Sequence, residues 1–590
     1  MSADSPLEWT PDGQPRSRAF GDVYFSAEDG LAETRAVFLA GCGLPQAWAG
    51  RRRFVVGELG FGTGLNIAAL LQLWAATRPP HGRLHVFSIE AFPIAAHEAA
   101  RALSRWPELA EVVGLLTSHW PGRARGRHRV DLPELSATLD LAAMEAEPAL
   151  AGWQGRADAW FLDGFAPSAN PQMWSDEVLG LVAARSAPGA RAATFTVAGQ
   201  VRRGLAAHGF AVAKRPGFGR KRERLEAWLA GEAADPPTSR VAIVGAGIAG
   251  AAAARAVRAL GGEAAVVEAA APGSGGSGNP AALVTPRLDA GLGEAARLFA
   301  QAFGRATMLY AGVAGATIVR GVLQLASDAR EAERFAKIAA SDVFEAGDLA
   351  VIDPAAAAAR LGELAPAALD QASALAIDPA PVLAAWAGAP IRARVAALTR
   401  DGGGWRLLDT EGREILRADA VILAAALASR ELAPDLPLQA VRGQATFASG
   451  PSAPAAAWGG YVLPTRDGLL FGATHDRDDA GADLRPDDHR RNLDTLARAL
   501  PGLAARVADL PLAGRASVRA VTPDRAPIAG ALGGGLFALT GFGSRGFSLA
   551  PLLAEHVAAL ALGAPSPIGA AAADLVDPGR FARRAARRGS

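Results

Sequence analysis

The sequence predicts two consecutive α/β domains, and three observations predict them. Apolar runs of strand length alternate with runs of helical period through the first half of the chain. Two of those apolar runs end in a glycine-rich turn, ELGFGTGLN from Glu58 to Asn66 and VAIVGAGIAG from Val241 to Gly250. Before the second turn lies AGEAADPPTSR, Ala230 to Arg240, a small, polar, proline-containing stretch of linker composition. The boundary is therefore expected near residue 237, giving domains 1–236 and 237–590.

Each element follows from the pattern. RFVVGEL is a buried strand, and NIAALLQLWAAT after it has helical spacing. RLHVFSIEAF and IAAHEAARALSRW repeat the pair. ADAWFLDGF, PQMWSDEVLGLVAARS and ARAATFTV supply a strand, a helix and a further strand. Such alternation implies a parallel sheet covered on both faces. After residue 237 a new strand–turn–helix begins, and the remaining length suffices for a nucleotide-binding core with an inserted α+β substrate domain.

Composition narrows the class. Half of the 590 residues are hydrophobic and a fifth are charged, a globular balance. The net charge is +1, so nucleic-acid contact has to come from local patches. The single cysteine, Cys42, excludes an intramolecular disulfide and a cysteine-based zinc site. No apolar run reaches the roughly 18 residues of a spanning helix, and the first residues lack a signal-peptide plan. A soluble cytoplasmic protein without a membrane partner is expected, with no metal called for.

The second turn meets the dinucleotide fingerprint in context. A strand precedes Gly245, Gly247 and Gly250, a helix follows, and Glu268 ends the next strand. Glycines let backbone N–H groups approach a pyrophosphate at a helix N-terminus, and the acid accepts from ribose hydroxyls. Glu268 has a plainer reading, a solvated strand end. Three later stretches, GSGGSGNPAALVTPRLD, SVRAVTPDRAPIAG and LTGFGSRGFSLAP, resemble flavin-dependent amine oxidases of the D-amino-acid oxidase and glycine oxidase type across roughly 240 to 560. The resemblance implies FAD, contacted by Ser277, Gly278 and Asn279 and by a closing loop of Gly541, Gly543, Ser544, Gly546 and Phe547. It also implies that Arg519 grips a substrate carboxylate, with Arg545 a second candidate; the plainer alternative is local ion pairing.

The first turn lacks that spacing. It resembles motif one of class I S-adenosylmethionine-dependent methyltransferases, a Rossmann-like fold. The resemblance implies that Glu58, Gly60, Gly62, Gly64 and Asn66 lie against the donor, and that Glu90 binds its ribose; Glu58 has a plainer reading, an ordinary loop capper. Asp163, in DAWFLDGFAPSANPQMW, falls where a strand ends at the ligand crevice of an open sheet. An alkylamine, with a pKa of about 10.4, must lose a proton before it attacks a methyl sulfonium. Asp163 is the candidate acceptor, the alternative being a loop-stabilising carboxylate. Phe165 and Trp174 either stack on a base or fill the core.

Taken in order, ELGFGTGLN, AWFLDGFAP, NPQMW, TFTVAGQVRRGL, GFGRKRE, GSGNP, GATHD, RAVTPDRAPIAG and GFGSRGF resemble a family of bifunctional tRNA wobble-uridine modification enzymes. That implies FAD-dependent removal of a carboxymethyl group from 5-carboxymethylaminomethyl-(2-thio)uridine, then N-methylation of the exposed amine. It implies tRNA as partner, through the anticodon loop. Basic stretches at 122–129, 202–203, 214–224 and 580–588 are candidate phosphate contacts, the plainer alternative being a solvated face. Two rival readings are a methyltransferase fused to an oxidase of free glycine or sarcosine, and a non-catalytic RNA-binding protein. The region from about 290 to 440 matches the family only in patches.

Overall fold

The computed structural model describes residues 5–26, 29–219, 221–232, 234–236 and 239–589, with side chains in the last helix described to 587. Arg220 of the basic stretch, Pro237 of the linker and the Arg588 side chain lie outside the described residues. The chain divides into two compact units, Met1–Pro237 with Pro565–Ala570, and Thr238–Ala564 with Ala571–Ser590.

The first unit is built on eight strands: β1 (Arg53–Leu59), β2 (Arg83–Ile89), β3 (Gly126–Leu132), β4 (Ala137–Ala143), β5 (Ala157–Leu162), β6 (Ser186–Thr194), β7 (Ala211–Pro216) and β8 (Glu223–Trp228). They lie in the order β3-β4-β2-β1-β5-β6-β8-β7. The five central strands are parallel. Both edges are antiparallel, through β3 on β4 and through β8 on β6 and β7. The all-parallel expectation therefore holds only at the centre. The sheet edges are short returns that need no helical crossover.

Alternation along β1 explains why the sheet is covered twice. Phe54 and Val56 enter one apolar layer with Trp48, Trp74 and Phe161, while Val55 and Leu59 enter the other with Phe87 and Trp153. Phe87 stacks on Trp153 with centroids 4.3 Å apart, a pair contributing about 1 kcal/mol beyond its buried area. The stretch PQMWSDEVLGLVAARS, expected as one helix, breaks after Trp174. Ser175 stays extended, and its hydroxyl accepts from Val178 N to start the helix Asp176–Ala184. The segment Pro565–Ala570 is held to this unit by hydrogen bonds: Ser566 N donates to Gln154 O at 3.1 Å, and the Arg129 side chain, through Nη2, to Pro565 O at 3.1 Å.

The second unit opens with β9 (Arg240–Val244), which pairs in parallel with β10 (Glu263–Glu268). Both belong to a six-stranded sheet in the order Ile391–Arg392, β10, β9, Ala420–Leu423, Leu536–Thr540, Ile528–Gly533. A separate ten-stranded sheet contains β11 (Gln439–Ser449) and β12 (Leu512–Val521), antiparallel and in unbroken register from Gln439↔Val521 to Ala448↔Leu512. This mixed sheet, with its helices, is the inserted α+β layer. No helix among the described residues is long and apolar enough to cross a membrane.

Candidate active sites

In the first unit the glycine turn joins β1 to helix α1 (Leu65–Thr77). Gly60, Gly62 and Gly64 all hold positive φ, at 83°, 51° and 79°, which folds the backbone back over the strand ends. Glu90, just past β2, receives Gly62 N on Oε2 at 2.8 Å and Phe92 N on Oε1 at 2.9 Å. Burial raises its carboxyl above the usual range. Each oxygen keeps lone-pair capacity for a ribose hydroxyl.

Glu58 is fully buried at the C-terminal end of β1. Its Oε2 accepts from Ser88 Oγ at 2.5 Å, and its Oε1 has no hydrogen-bond partner among the described residues. Burial pushes its carboxyl up to about 8, and the neighbouring charge of Asp163 adds to the rise. An orphaned acceptor beside a glycine turn suits the ammonium and sulfonium charges of S-adenosylmethionine. The residues present fit that group.

Asp163 follows β5 directly and is half-buried. Gly164 N donates to its Oδ1 and Asn66 Nδ2 to its Oδ2, both at 2.8 Å. Asn66 is itself oriented by Thr34 Oγ1, which donates to its Oδ1 at 2.8 Å. Burial pushes Asp163 up to about 6. The carboxylate is thus fixed in direction and basic enough to take a proton near neutrality. Phe165 packs against Phe20 and Tyr24, with centroids 4.9 and 5.4 Å away, and Phe20 leads to the exposed Phe92. Trp174 is 1% exposed, and its Nε1 donates to Phe165 O at 3.0 Å. Of the two aromatics, Trp174 is core.

The second turn repeats the geometry of the first. Glu268 receives Ala246 N on Oε2 at 2.7 Å and Ala270 N on Oε1 at 2.9 Å. Helix α2 (Ile248–Ala259) starts at Gly247, and Ile248 N donates to Ser277 Oγ at 3.0 Å. Gly245 holds φ 107°, and a Cβ on Gly250 would lie 1.8 Å from Gly245 O. The turn closes only with glycine at both places, a cradle shaped for a pyrophosphate. Helix α4 (Gly546–Leu562) begins nearby: a Cβ on Gly546 would meet Ile248 Cγ2 at 3.2 Å. The loop before α4 holds Gly541 and Gly543 at φ 76° and 56°, with Ser544 exposed. Phe547 O accepts from Tyr310 OH at 2.7 Å. The residues present fit FAD.

β12 carries Arg515, Ser517 and Arg519, three alternate residues on one face. Arg515 Nη2 donates to the carbonyls of Gly273, Ser274 and Gly275 at 3.0, 2.7 and 2.6 Å, and its Nη1 reaches Asn279 Oδ1 at 3.4 Å. That clamps the loop holding Ser277, Gly278 and Asn279. Arg519 Nη1 donates to Thr474 O at 3.3 Å, and its guanidinium lies over Gly443, where a Cβ would meet both terminal nitrogens at 2.4 Å. Arg519 pairs with no carboxylate among the described residues. Burial lowers its pKa, and Tyr461 is the group whose charge offsets this. Arg545 Nη1 is taken up by Thr285 Oγ1 at 3.2 Å and Pro286 O at 3.0 Å.

Sequence reasoning missed Arg515, Tyr461, Thr34 and Ser88. Their one signal was residue type, since each reaches its partner across strands or loops distant in the chain. It left the basic stretches open between phosphate contacts and solvated faces, and several of their charges prove to be paired within the chain. Lys214 pairs with Glu223 at 2.7 Å, Lys221 with Glu33 at 2.7 Å, Arg125 with Glu145 at 2.6 Å and Arg129 with buried Asp140 at 2.7 Å. In the C-terminal cluster Arg580 binds Asp524 at 3.0 Å, Arg584 also pairs with Asp524, and Arg583 pairs with Asp577 at 2.7 Å. Arg129 and Arg580 are buried in these pairs, while the others are surface ion pairs.

Comparison with known proteins identifies the family of each half. The FAD dependent oxidoreductase family matches residues 240–560, and an S-adenosyl-L-methionine-dependent methyltransferase family matches residues 107–230. The tRNA 5-methylaminomethyl-2-thiouridine biosynthesis bifunctional protein MnmC of Caulobacter sp. (strain K31) is 59% identical over 99% of this chain and 98% of its own. The protein of that name in Caulobacter vibrioides is 59% identical over 98% of each chain. Among solved structures, an iminodiacetate oxidase from Chelativorans sp. BNC1 covers 55% of this chain and 96% of its own, at 23% identity and a TM-score of 0.47. At that identity and coverage with its relatives, the chain belongs to the MnmC family of bifunctional proteins, pairing an S-adenosylmethionine-dependent methyltransferase with an FAD-dependent oxidoreductase.

Proposed function

We propose that the protein modifies the wobble uridine of tRNA in two consecutive steps. Residues 237–590 oxidise the carboxymethylaminomethyl group, and residues 1–236 methylate the amine that results. The observation that carries this reading is one geometry present twice. In each half, the acid ending the second strand holds a backbone N–H of the glycine turn, Glu90 to Gly62 and Glu268 to Ala246.

In the first step Arg519, aided by Tyr461, binds the substrate carboxylate and so fixes the neighbouring C–N bond. The methylene carbon loses a hydride and the nitrogen a proton, which leaves an imine. Water adds to the imine carbon, the C–N bond breaks, and glyoxylate departs from the aminomethyl nucleoside. Arg515 keeps the cofactor loop of Ser277, Gly278 and Asn279 in place. In the second step the amine gives its proton to Asp163, its lone pair attacks the methyl carbon, and the carbon–sulfur bond breaks. Asn66 and Thr34 hold Asp163 on line. When bound, FAD supplies the two-electron acceptor and S-adenosylmethionine the methyl group.

The anticodon loop is the accessible part of the substrate, because its unpaired bases can be splayed into a site. A reaction on the tRNA pool supports a cytoplasmic location. The test is nucleoside mass spectrometry on undermodified tRNA, with and without S-adenosylmethionine. The aminomethyl nucleoside should accumulate without the donor, and the methylaminomethyl form should replace it with the donor. Turnover of free sarcosine comparable to that of tRNA would overturn the reading.

A further inference from the structure

The second unit holds a cavity of about 600 Å³ between the segment Ala473–His475 and helix α3 (Pro486–Ala499). It adjoins the Arg519 anchor, because Thr474, whose carbonyl receives Arg519 Nη1, forms part of its wall. The opposite wall is mostly polar. Arg491, Asn492, Thr495 and Arg498 line it with Ala497, and Asp494 is its carboxylate.

The charges there differ in their availability. Arg491 is committed to Asp476 and Asp488, both at 2.8 Å. Arg498 is exposed, donates only to Thr495 Oγ1 at 3.0 Å, and pairs with no carboxylate among the described residues. His475, also exposed, faces more cations than anions. Burial lowers its pKa first, the charges of Arg519, Arg477 and Arg525 lower it further, and that of Asp476 offsets part of this. Arg477 and Arg525 are exposed and likewise pair with no carboxylate among the described residues. An unpaired guanidinium lining a polar hollow, with those of Arg477 and Arg525 acting on its His475 wall, suits a polyanion. Several cations of the basic stretches elsewhere face carboxylates instead.

We propose that this cavity binds a phosphodiester of the RNA strand next to the nucleoside being oxidised, with Arg498 as its principal cation. The inference rests on the tRNA reading above and deepens it. The carboxymethyl group reaches Arg519 while the adjoining backbone lies along α3. A phosphate held there positions the strand without reading its sequence.

The test compares Arg498→Glu with Arg330→Glu, an equal charge change at an exposed site on another helix. Steady-state oxidation of undermodified tRNA is followed at several salt concentrations, with the flavin spectrum checking the fold. Arg498→Glu should raise the KM for tRNA about tenfold with kcat retained, and lower the slope of log KM against log salt by about 1. Arg330→Glu should leave both unchanged. A wild-type KM in Arg498→Glu, or an equal rise in Arg330→Glu, overturns the phosphate site. A flavin-loaded wild-type protein that leaves tRNA unoxidised overturns the function itself, and the site with it.

Discussion

The carboxamide of Asn66, on the first turn of α1, donates to the carboxylate of Asp163, at the end of β5, across 2.8 Å. The bond joins the glycine turn to the proposed proton acceptor, so the donor loop and the base are set by one contact. Thr34 fixes which way the amide faces. Asp163 therefore meets an incoming amine in one orientation rather than several, as a general base requires.

Asp163→Asn keeps the shape and removes the basicity. Methyl transfer should fall by about 100-fold to 10,000-fold while oxidation continues, so that mass spectrometry finds the aminomethyl nucleoside accumulating. In the wild type, transfer should rise with pH through about 6, where Asp163 ionises. A methylation rate unchanged in the variant would remove Asp163 from the chemistry.

Glu58 makes donor binding depend on protons. Its carboxyl, raised to about 8 by burial, is protonated in the free protein at neutrality. A cationic donor favours the ionised form, so binding should release a proton and tighten as pH rises toward 8. Calorimetry in buffers of different ionisation heat reads this directly. Stability runs the other way. The folded value lies above the unfolded one, so the contribution is complete below about 4.5 and is lost as pH climbs through about 8. Glu58→Gln should abolish the proton release and raise the melting temperature at pH 8.

Gly250→Ala tests the flavin cradle. The new methyl would collide with Gly245 O, and the turn would have to open. The purified variant should be colourless while still binding S-adenosylmethionine. A yellow protein with normal flavin content would contradict the geometry.

Gly443→Ala tests the anchor without touching its charge. A Cβ there displaces the Arg519 guanidinium. The KM for oxidation should rise with flavin retained, and Arg519→Met should cost about 3 kcal/mol, roughly a hundredfold in kcat/KM. Normal kinetics in both variants would reassign the carboxylate contact, with Tyr461 and His475 the next residues to substitute.

Much of this was legible in the sequence where the code is local. A strand, a turn and a helix follow one another within twenty-odd residues, so Gly245, Gly250 and Glu268 declare their geometry by spacing, and Asp163 by its place after an apolar run. What stayed hidden is long-range. Arg515 reaches carbonyls 240 residues away, and Ser88 meets Glu58 only because β1 and β2 are neighbours. Charge runs misled for the same reason. Nothing beside Arg580 in the chain shows that it will fold onto Asp524. The antiparallel strands β3 and β8 were also hidden, because both are rich in charged residues that mask the strand pattern.

Strand β12 has a consequence for how this gene can diverge. Its alternation brings Arg515 and Arg519 to the same side, and its pairing with β11 admits no irregularity. Loss or gain of one codon inside it would swing both guanidiniums to the far side together, unclamping the coenzyme and releasing the substrate in one event. Lineages should accept exchanges of single letters along this stretch far more readily than any change in its length.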